Sequence, residues 1–142
     1  MRNMMFLLIM VTLLLSNGCA TTSIMRNASL DEGVPMIFNA SFDRVLKAAR
    51  ESVTQSGLQV EVVNKLDDQT WIIIGNKGMS GWTWGERVRV TVQTKSKSET
   101  LVRVLTKRKN PGNLTATWDY SQKIFSNIHS NLQRLSEEFY NH

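Results

Sequence analysis

The chain has 142 residues, 17 lysines and arginines against 12 aspartates and glutamates, a formal net charge of +5, and one cysteine. That length suits one ordinary domain and excludes two, and a lone cysteine excludes a disulfide framework. The mild positive balance suits an anionic neighbour such as lipid head groups, peptidoglycan carboxylates or an acidic protein, and the lack of a nucleic-acid motif argues against nucleic acid.

The N-terminus carries the strongest signal. Arg2 precedes an apolar run from Met4 to Leu15 that has no charge and no proline, and Ser16, Asn17 and Gly18 lead into Cys19. A charged start, a short apolar stretch and small residues before a cut describe a secretory signal peptide. A cysteine directly after the cut resembles a bacterial lipoprotein signal, in which the thiol takes a diacylglycerol and the new N-terminus is acylated. Leu15 and Gly18 match that pattern, and Asn17 departs from it. Cleavage after Gly18 by the ordinary signal peptidase is the alternative. An uncleaved span is disfavoured, because crossing a bilayer takes about 20 apolar residues. One acyl chain binds reversibly, at roughly 0.8 kcal/mol per buried CH₂, and several chains bind in effect permanently. In enteric-type bacteria, the resemblance implies, Ala20 after the cysteine permits export to the outer membrane. Thr21 to Gly33 is polar and aperiodic and reads as a tether. The expected division is therefore a lipoprotein signal peptide over 1–18, a lipidated Cys19 with a flexible tether over 19–33, and a single domain over 34–142.

Within the domain, Met36 to Asn39 is a short strand candidate. Ser41 then stands where a hydroxyl can cap a helix. Phe42, Val45, Leu46, Ala49 and Val53 follow at helical spacing, and Gly57 stands where a C′ residue should, so the spacing predicts a helix over Phe42–Ser56. Leu58, Val60 and Val62 alternate with polar residues as in a strand, and Asp67-Asp68-Gln69 turns the chain. Trp71 to Gly75 is a strand apolar on both sides. Val88, Val90 and Val92 alternate with Arg87, Arg89, Thr91 and Gln93 in the next strand. Thr100 to Thr106 pairs with it as a hairpin across the polar turn Lys95 to Ser98. After the turn Pro111-Gly112-Asn113, Ile124, Ile128, Leu132, Leu135 and Phe139 mark a long amphipathic helix that starts near Trp118 or Asp119 and runs to Phe139.

The order β-α-β-β-β-β-α, with hairpin-linked strands and a helix near either end, argues an α+β fold: an antiparallel sheet with both helices on one face. That order, the loop Gly81-Trp82-Thr83-Trp84-Gly85-Glu86 leading into Val88 and Val90, the later Thr100, Val102 and Val104, and the helix after Asp119 resemble small Gram-negative lipoproteins of uncharacterised function. At fold level they are also similar to the helix-grip domains of the lipoprotein accessory subunit of the outer-membrane β-barrel assembly machinery. The resemblance spans roughly residues 34–135 and implies architecture and a periplasm-facing, outer-membrane location, not an activity.

No catalytic residue is assigned. His129 lies beside the apolar stripe of the last helix, no serine sits in a nucleophile motif, and Cys19 is consumed by the anchor. No metal site and no cofactor are expected, because no His, Cys or Asp cluster has ligand spacing. The paired carboxylates Asp67-Asp68 and Glu137-Glu138 belong to a turn and a solvated helix end. The glycine-rich stretch Gly75–Gly85 lacks the Gly-Lys-Ser/Thr ending of a phosphate loop and joins strand to strand. Its Trp82 and Trp84 share parity, and form either a platform for a sugar or an apolar partner, or packing over the end of the core. Arg87, Arg89 and Arg103, with Lys95 and Lys107, lie on the polar side of their strands. They form either a solvated face or a positive surface toward head groups or cell-wall carboxylates.

The expectation is a membrane-anchored, non-catalytic envelope lipoprotein that binds an envelope protein or peptidoglycan through Trp82, Trp84, Arg87, Arg89 and Arg103. The alternatives are a carrier holding an apolar ligand between the last helix and the sheet, and a cell-wall-acting enzyme, which the absence of a carboxylate dyad disfavours.

Overall fold

A computed structural model describes residues 21–78, 85–109 and 119–140. The elements are α1 (Thr22–Asn27), β1 (Val34–Phe38), α2 (Phe42–Gln55), β2 (Gln59–Asp67), β3 (Thr70–Asn76), β4 (Glu86–Thr94), β5 (Thr100–Arg108) and α3 (Ser121–Tyr140). The strands form one five-stranded sheet in the order β1-β5-β4-β3-β2, antiparallel throughout. The fold is α+β. From β1 onward the element order is the expected one, and α2 and α3 share one face of the sheet.

That face is the main core. Val88, Val90 and Val92 of β4, Val102 and Val104 of β5, Ile73 of β3 and Phe38 of β1 meet Val45, Ala49 and Val53 of α2 and Ile124, Phe125 and Ile128 of α3. The helix–helix seam is polar. The Asn131 amide sits within reach of Ala48 O, Ser52 Oγ and Gln55 Oε1 at 3.1–3.2 Å, and Ser56 Oγ accepts from Asn127 at 3.1 Å. Gly57 follows α2 at φ +82°, the left-handed conformation that a helix C′ residue adopts and that costs glycine nothing. Ser41 does open α2, but through its carbonyl, which accepts from Val45 N–H at 3.0 Å. Its hydroxyl makes no capping bond.

Two expectations are corrected. The first concerns β2. Leu58, Val60 and Val62 do not share a face, because the pairing shifts between Val60, opposite Gly75, and Val62, opposite Ile74. Glu61 is the extra residue of a bulge, which inverts the side-chain alternation beyond it. Val63 takes the helix side opposite Ile73, and Val62 joins Ile72 and Ile74 on the other face.

The second concerns the tether. Residues 21–33 are not a free linker: α1 packs on the sheet face away from α2 and α3, with Met25 fully buried against Ile72 and Ile74. The packed unit therefore does not start only at Val34 but includes the segment from Thr21, whose hydroxyl accepts from Ile24 N–H at 3.2 Å. A six-residue helix is too short to show periodicity and too short to persist alone, so its sequence reads as loop. Among the described residues no helix is long and apolar enough to cross a membrane.

A candidate binding cleft at the end of the sheet

Arg87, Arg89 and Arg103 lie on the sheet face opposite α2 and α3, as alternation requires, but they do not form an open positive field. Arg89 is 0% exposed. Its guanidinium donates to Met25 O at 3.0 Å, Ala28 O at 2.6 Å and Ser29 O at 2.6 Å. These carbonyls lie at the C-terminal end of α1 and just past it, where backbone acceptors lack helical partners and a cation is favoured. Burial pulls the Arg89 pKa down from its ordinary value, and the nearby Glu32 carboxylate opposes that shift. Arg87 Nε lies 3.4 Å from Glu61 Oε2, an oxygen that also accepts from Thr22 Oγ1 at 3.0 Å. Arg103 donates to Asp31 O at 3.3 Å, and Lys107 Nζ is 3.0 Å from Glu32 Oε2. Lys107 and the Ser29 N–H hold the Glu32 carboxyl below its usual range. The expected ligand surface is thus a docking surface for the chain's own N-terminal segment. Arg89 is withdrawn from the ligand-binding set because no solvent reaches it, and Arg87 and Arg103 are engaged with Glu61 and Asp31.

Cys19, Trp82 and Trp84 lie outside the described residues. The segment bearing the tryptophans departs after Lys77-Gly78 and returns at Gly85-Glu86, and Lys77 and Glu86 both line a cleft of about 480 Å³. Ser56, Asp119, Tyr120, Gln122 and Lys123 are its other described lining residues. The cleft lies where the end of α2, the start of α3 and the β3 and β4 ends meet.

Its chemistry centres on Glu86. Position 86 shares parity with Val88, Val90 and Val92, so β4 turns this acid inward, and the residue is 1% exposed. Oε2 accepts from the Tyr120 hydroxyl at 3.2 Å, whereas Oε1 is buried without a hydrogen-bond partner. Burial, the Glu86 charge and this hydrogen bond together push the Tyr120 pKa up to about 12, so the phenol stays a donor at neutral pH. The two lysines are drawn elsewhere. Lys77 Nζ donates to Gly57 O at 3.3 Å and Lys123 Nζ to Ser56 O at 3.2 Å. Both carbonyls belong to the C-terminal end of α2, where cations are favoured. An ammonium has three donors, and each lysine spends one there. Asp119 accepts from Ser121 N–H at 2.9 Å and Ser121 Oγ at 2.7 Å, capping the start of α3. Among the described residues the lining therefore carries two cations and two carboxylates, one of them buried and half satisfied.

A second, shallower groove of about 810 Å³ runs along the other flank of α2, with Leu46, Val63 and Trp71 as its apolar lining and Asp43, Lys47 and Arg50 among its polar residues. The interval between α3 and the sheet, expected by the carrier alternative to hold a ligand, is occupied by Ile124, Phe125 and Ile128 packed with Phe38 and Val90. His129 is solvent-exposed and its ring lies against Phe38, with centroids 4.8 Å apart. Among the described residues no three His, Cys, Asp or Glu side chains are grouped to hold a metal ion.

The sequence reading missed Glu86, Tyr120 and Lys123 as one site. The signal for Glu86 was present, since an acid in register with three inward valines must be buried. Tyr120 and Lys123 reach it only through the return of α3 over the sheet, which no local pattern discloses.

No protein-family model and no curated protein matches the chain. Among solved structures, it is similar to the vertebrate conserved region of human METTL16, at 11% identity and a TM-score of 0.45, over 72% of this chain and 97% of that one. It is also similar to the uncharacterized conserved protein YugN from Geobacillus kaustophilus HTA426, at 14% identity and a TM-score of 0.34, over 72% and 90%. Neither likeness bears on function.

Proposed function

We propose that this protein is a lipid-anchored, non-catalytic binding module of the bacterial envelope, held through Cys19 in the outer membrane and facing the periplasm. In this reading it engages an envelope component through the cleft between α2, α3 and the sheet end. The sequence supports the anchor: a charged residue, an apolar run and small residues precede a single cysteine. One observation carries the binding role. Glu86, a buried carboxylate with one unpartnered oxygen, lines a cleft that also carries Lys77 and Lys123. A buried acceptor left unmade costs roughly 1–3 kcal/mol, and a ligand's donor would recover it.

Two measurements test the reading. Intact mass of the mature chain from membranes should show a diacylglyceryl and acyl adduct on Cys19, and Cys19→Ala should release the protein from the membrane fraction. An unmodified thiol sinks the anchor. For the cleft, the full mature chain with Cys19→Ser is mixed with soluble peptidoglycan fragments and envelope extract, and amide resonances are followed. Shifts clustered on Ser56, Lys77, Glu86 and Tyr120 support the site. Shifts confined to the groove at Leu46 and Trp71 place binding there instead.

A further inference from the structure

We infer that the cleft takes a small zwitterion: a primary ammonium facing the Glu86 carboxylate, with a carboxylate or phosphate a few atoms away facing Lys77 and Lys123. The inference rests on the binding reading above and names its ligand class.

Three features converge on it. The first is charge type. The Glu86 carboxylate is an acceptor inside the molecule, and among the described residues its hydrogen bond comes from a neutral phenol. A neutral hydroxyl from a ligand would satisfy the free oxygen geometrically but leave the buried charge without a counter-ion. An ammonium supplies both, and charge-assisted hydrogen bonds are about twice as strong as neutral ones. The second is the division of the lining. Lys77 and Lys123 are not spent on Glu86, because the carbonyls of Gly57 and Ser56 hold them on the α2 side. Neither lysine is ion-paired with Glu86 or Asp119 among the described residues, so the lining offers both signs of charge, which suits a dipolar ligand. A simple anion would meet Glu86 and Asp119, and a simple cation would meet both lysines. The third is size. A cleft of about 480 Å³ is in the range of small-molecule sites and holds an amino acid, a dipeptide or a phosphoethanolamine group. The first two would come from cell-wall peptides, the last from a phospholipid headgroup, and the recognising chemistry is shared.

The test is protein-observed NMR titration of the full mature chain carrying Cys19→Ser. The probes are D-alanyl-D-alanine, its N-acetyl derivative, O-phosphoethanolamine and ethanolamine. A parallel arm measures flotation with phosphatidylethanolamine or phosphatidylglycerol vesicles. A zwitterion should bind with a Kd of about 1 mM or tighter. N-acetylation, or loss of the anionic group as in ethanolamine, should weaken binding at least about tenfold, and so should Glu86→Gln, which keeps the side chain's shape and an acceptor for Tyr120. Lys77→Met with Lys123→Met should weaken it by about the same factor. Preference for dialanine supports a peptide source. Preference for phosphoethanolamine, with flotation on phosphatidylethanolamine alone, supports a headgroup. Equal affinity for the N-acetyl probe, or an unchanged Glu86→Gln protein, overturns the inference. If neither zwitterion binds up to about 10 mM while envelope extract still shifts the cleft resonances, the ligand class is wrong and the binding reading stands. If extract shifts nothing there, both fall.

Discussion

Replacing Arg89 with methionine removes the guanidinium and keeps most of the apolar stem, so it isolates what the charge does. The wild-type side chain gives three hydrogen bonds of 2.6–3.0 Å to Met25, Ala28 and Ser29 carbonyls and is wholly shielded from solvent. Hydrogen bonds from charged donors contribute about 1.5–3 kcal/mol each, but the three are not additive, because α1 can lift away and return its carbonyls to water. The ceiling is therefore the energy that docks α1. Met25 is 0% exposed, and burying a methionine is worth about 1.5–3 kcal/mol. The partly exposed ion pair of Arg87 with Glu61 adds about 0–1 kcal/mol, and the solvent-screened pair of Lys107 with Glu32 adds little. We expect Arg89→Met to lose about 3 kcal/mol in equilibrium denaturation, with a slightly lower slope in denaturant because an undocked α1 no longer buries surface in the native state. Amide exchange should then show Met25 and Ala28 unprotected while β3, β4 and β5 stay protected. Arg89→Lys should fall between, since one ammonium cannot reproduce the planar fork. If Arg89→Met keeps the wild-type midpoint and α1 remains protected, the guanidinium is not what holds the N-terminal segment, and Met25 alone must suffice.

Other consequences are as direct. Asn131→Ala empties a position that is 3% exposed and strips the donor from the α2–α3 seam, which should cost about 2–3 kcal/mol in a denaturant melt. Asn131→Leu should not rescue it, because the polar groups of Ser52 and Gln55 would face an apolar side chain. Gly33 adopts φ +106°, and a Cβ there would stand 2.6 Å from Val104 O. Gly33→Ala should therefore lose at least about 2 kcal/mol, read as a lowered melting temperature. The Tyr120 phenol keeps its proton in the fold up to a pKa of about 12 against an ordinary 10.0. Its contribution is fully present below pH 10 and is lost as the pH rises from 10 toward 12, where the unfolded chain gives up the proton first. Absorbance at the phenolate band should show one late-titrating tyrosine, which Tyr120→Phe removes, and a normal titration would contradict the Glu86 contact.

What was legible in the chain followed from periodicity. The inward valines of β4 and β5, the apolar stripe of α2 and the stop at Gly57 need only local spacing, and each is where spacing puts it. The Asp67 turn was legible for a similar reason: its carboxylate accepts from Gln69 N–H at 2.7 Å, two residues on. Features that depend on distant partners were not legible. The bulge at Glu61 breaks alternation, and its carboxylate meets Thr22 and Arg87, from elements far along the chain. α1 exists because Ile72, Ile74 and Arg89 receive it, not because six residues prefer helix. Asn131 looks like a solvent position between Ile128 and Leu132, yet it is buried by the approach of α2. Arg89 was assigned to solvent by a rule that alternate strand residues face water, and that rule fails when a second layer covers the outer face.

The same comparison separates structural charge from functional charge. On the outer face every arginine of β4 and β5 that the sequence singled out has found a partner within the chain: Arg87 has Glu61, Arg89 has three carbonyls and Arg103 has Asp31. Charge neutralised in this way fixes geometry and has little left to offer a ligand. At the sheet end the accounting is different. Two lysines lean on the α2 terminus, Asp119 caps α3, and Glu86 sits inside the hydrophobic register of β4 with one oxygen unmatched. An apolar residue at position 86 would continue the valine row and pack without any desolvation cost. An acid there is costly for the fold alone, and that cost is recovered if something with a donor enters the cleft. Glu86→Val thus gives opposite signs to the two roles: a fold at least as stable, and a cleft that no longer binds.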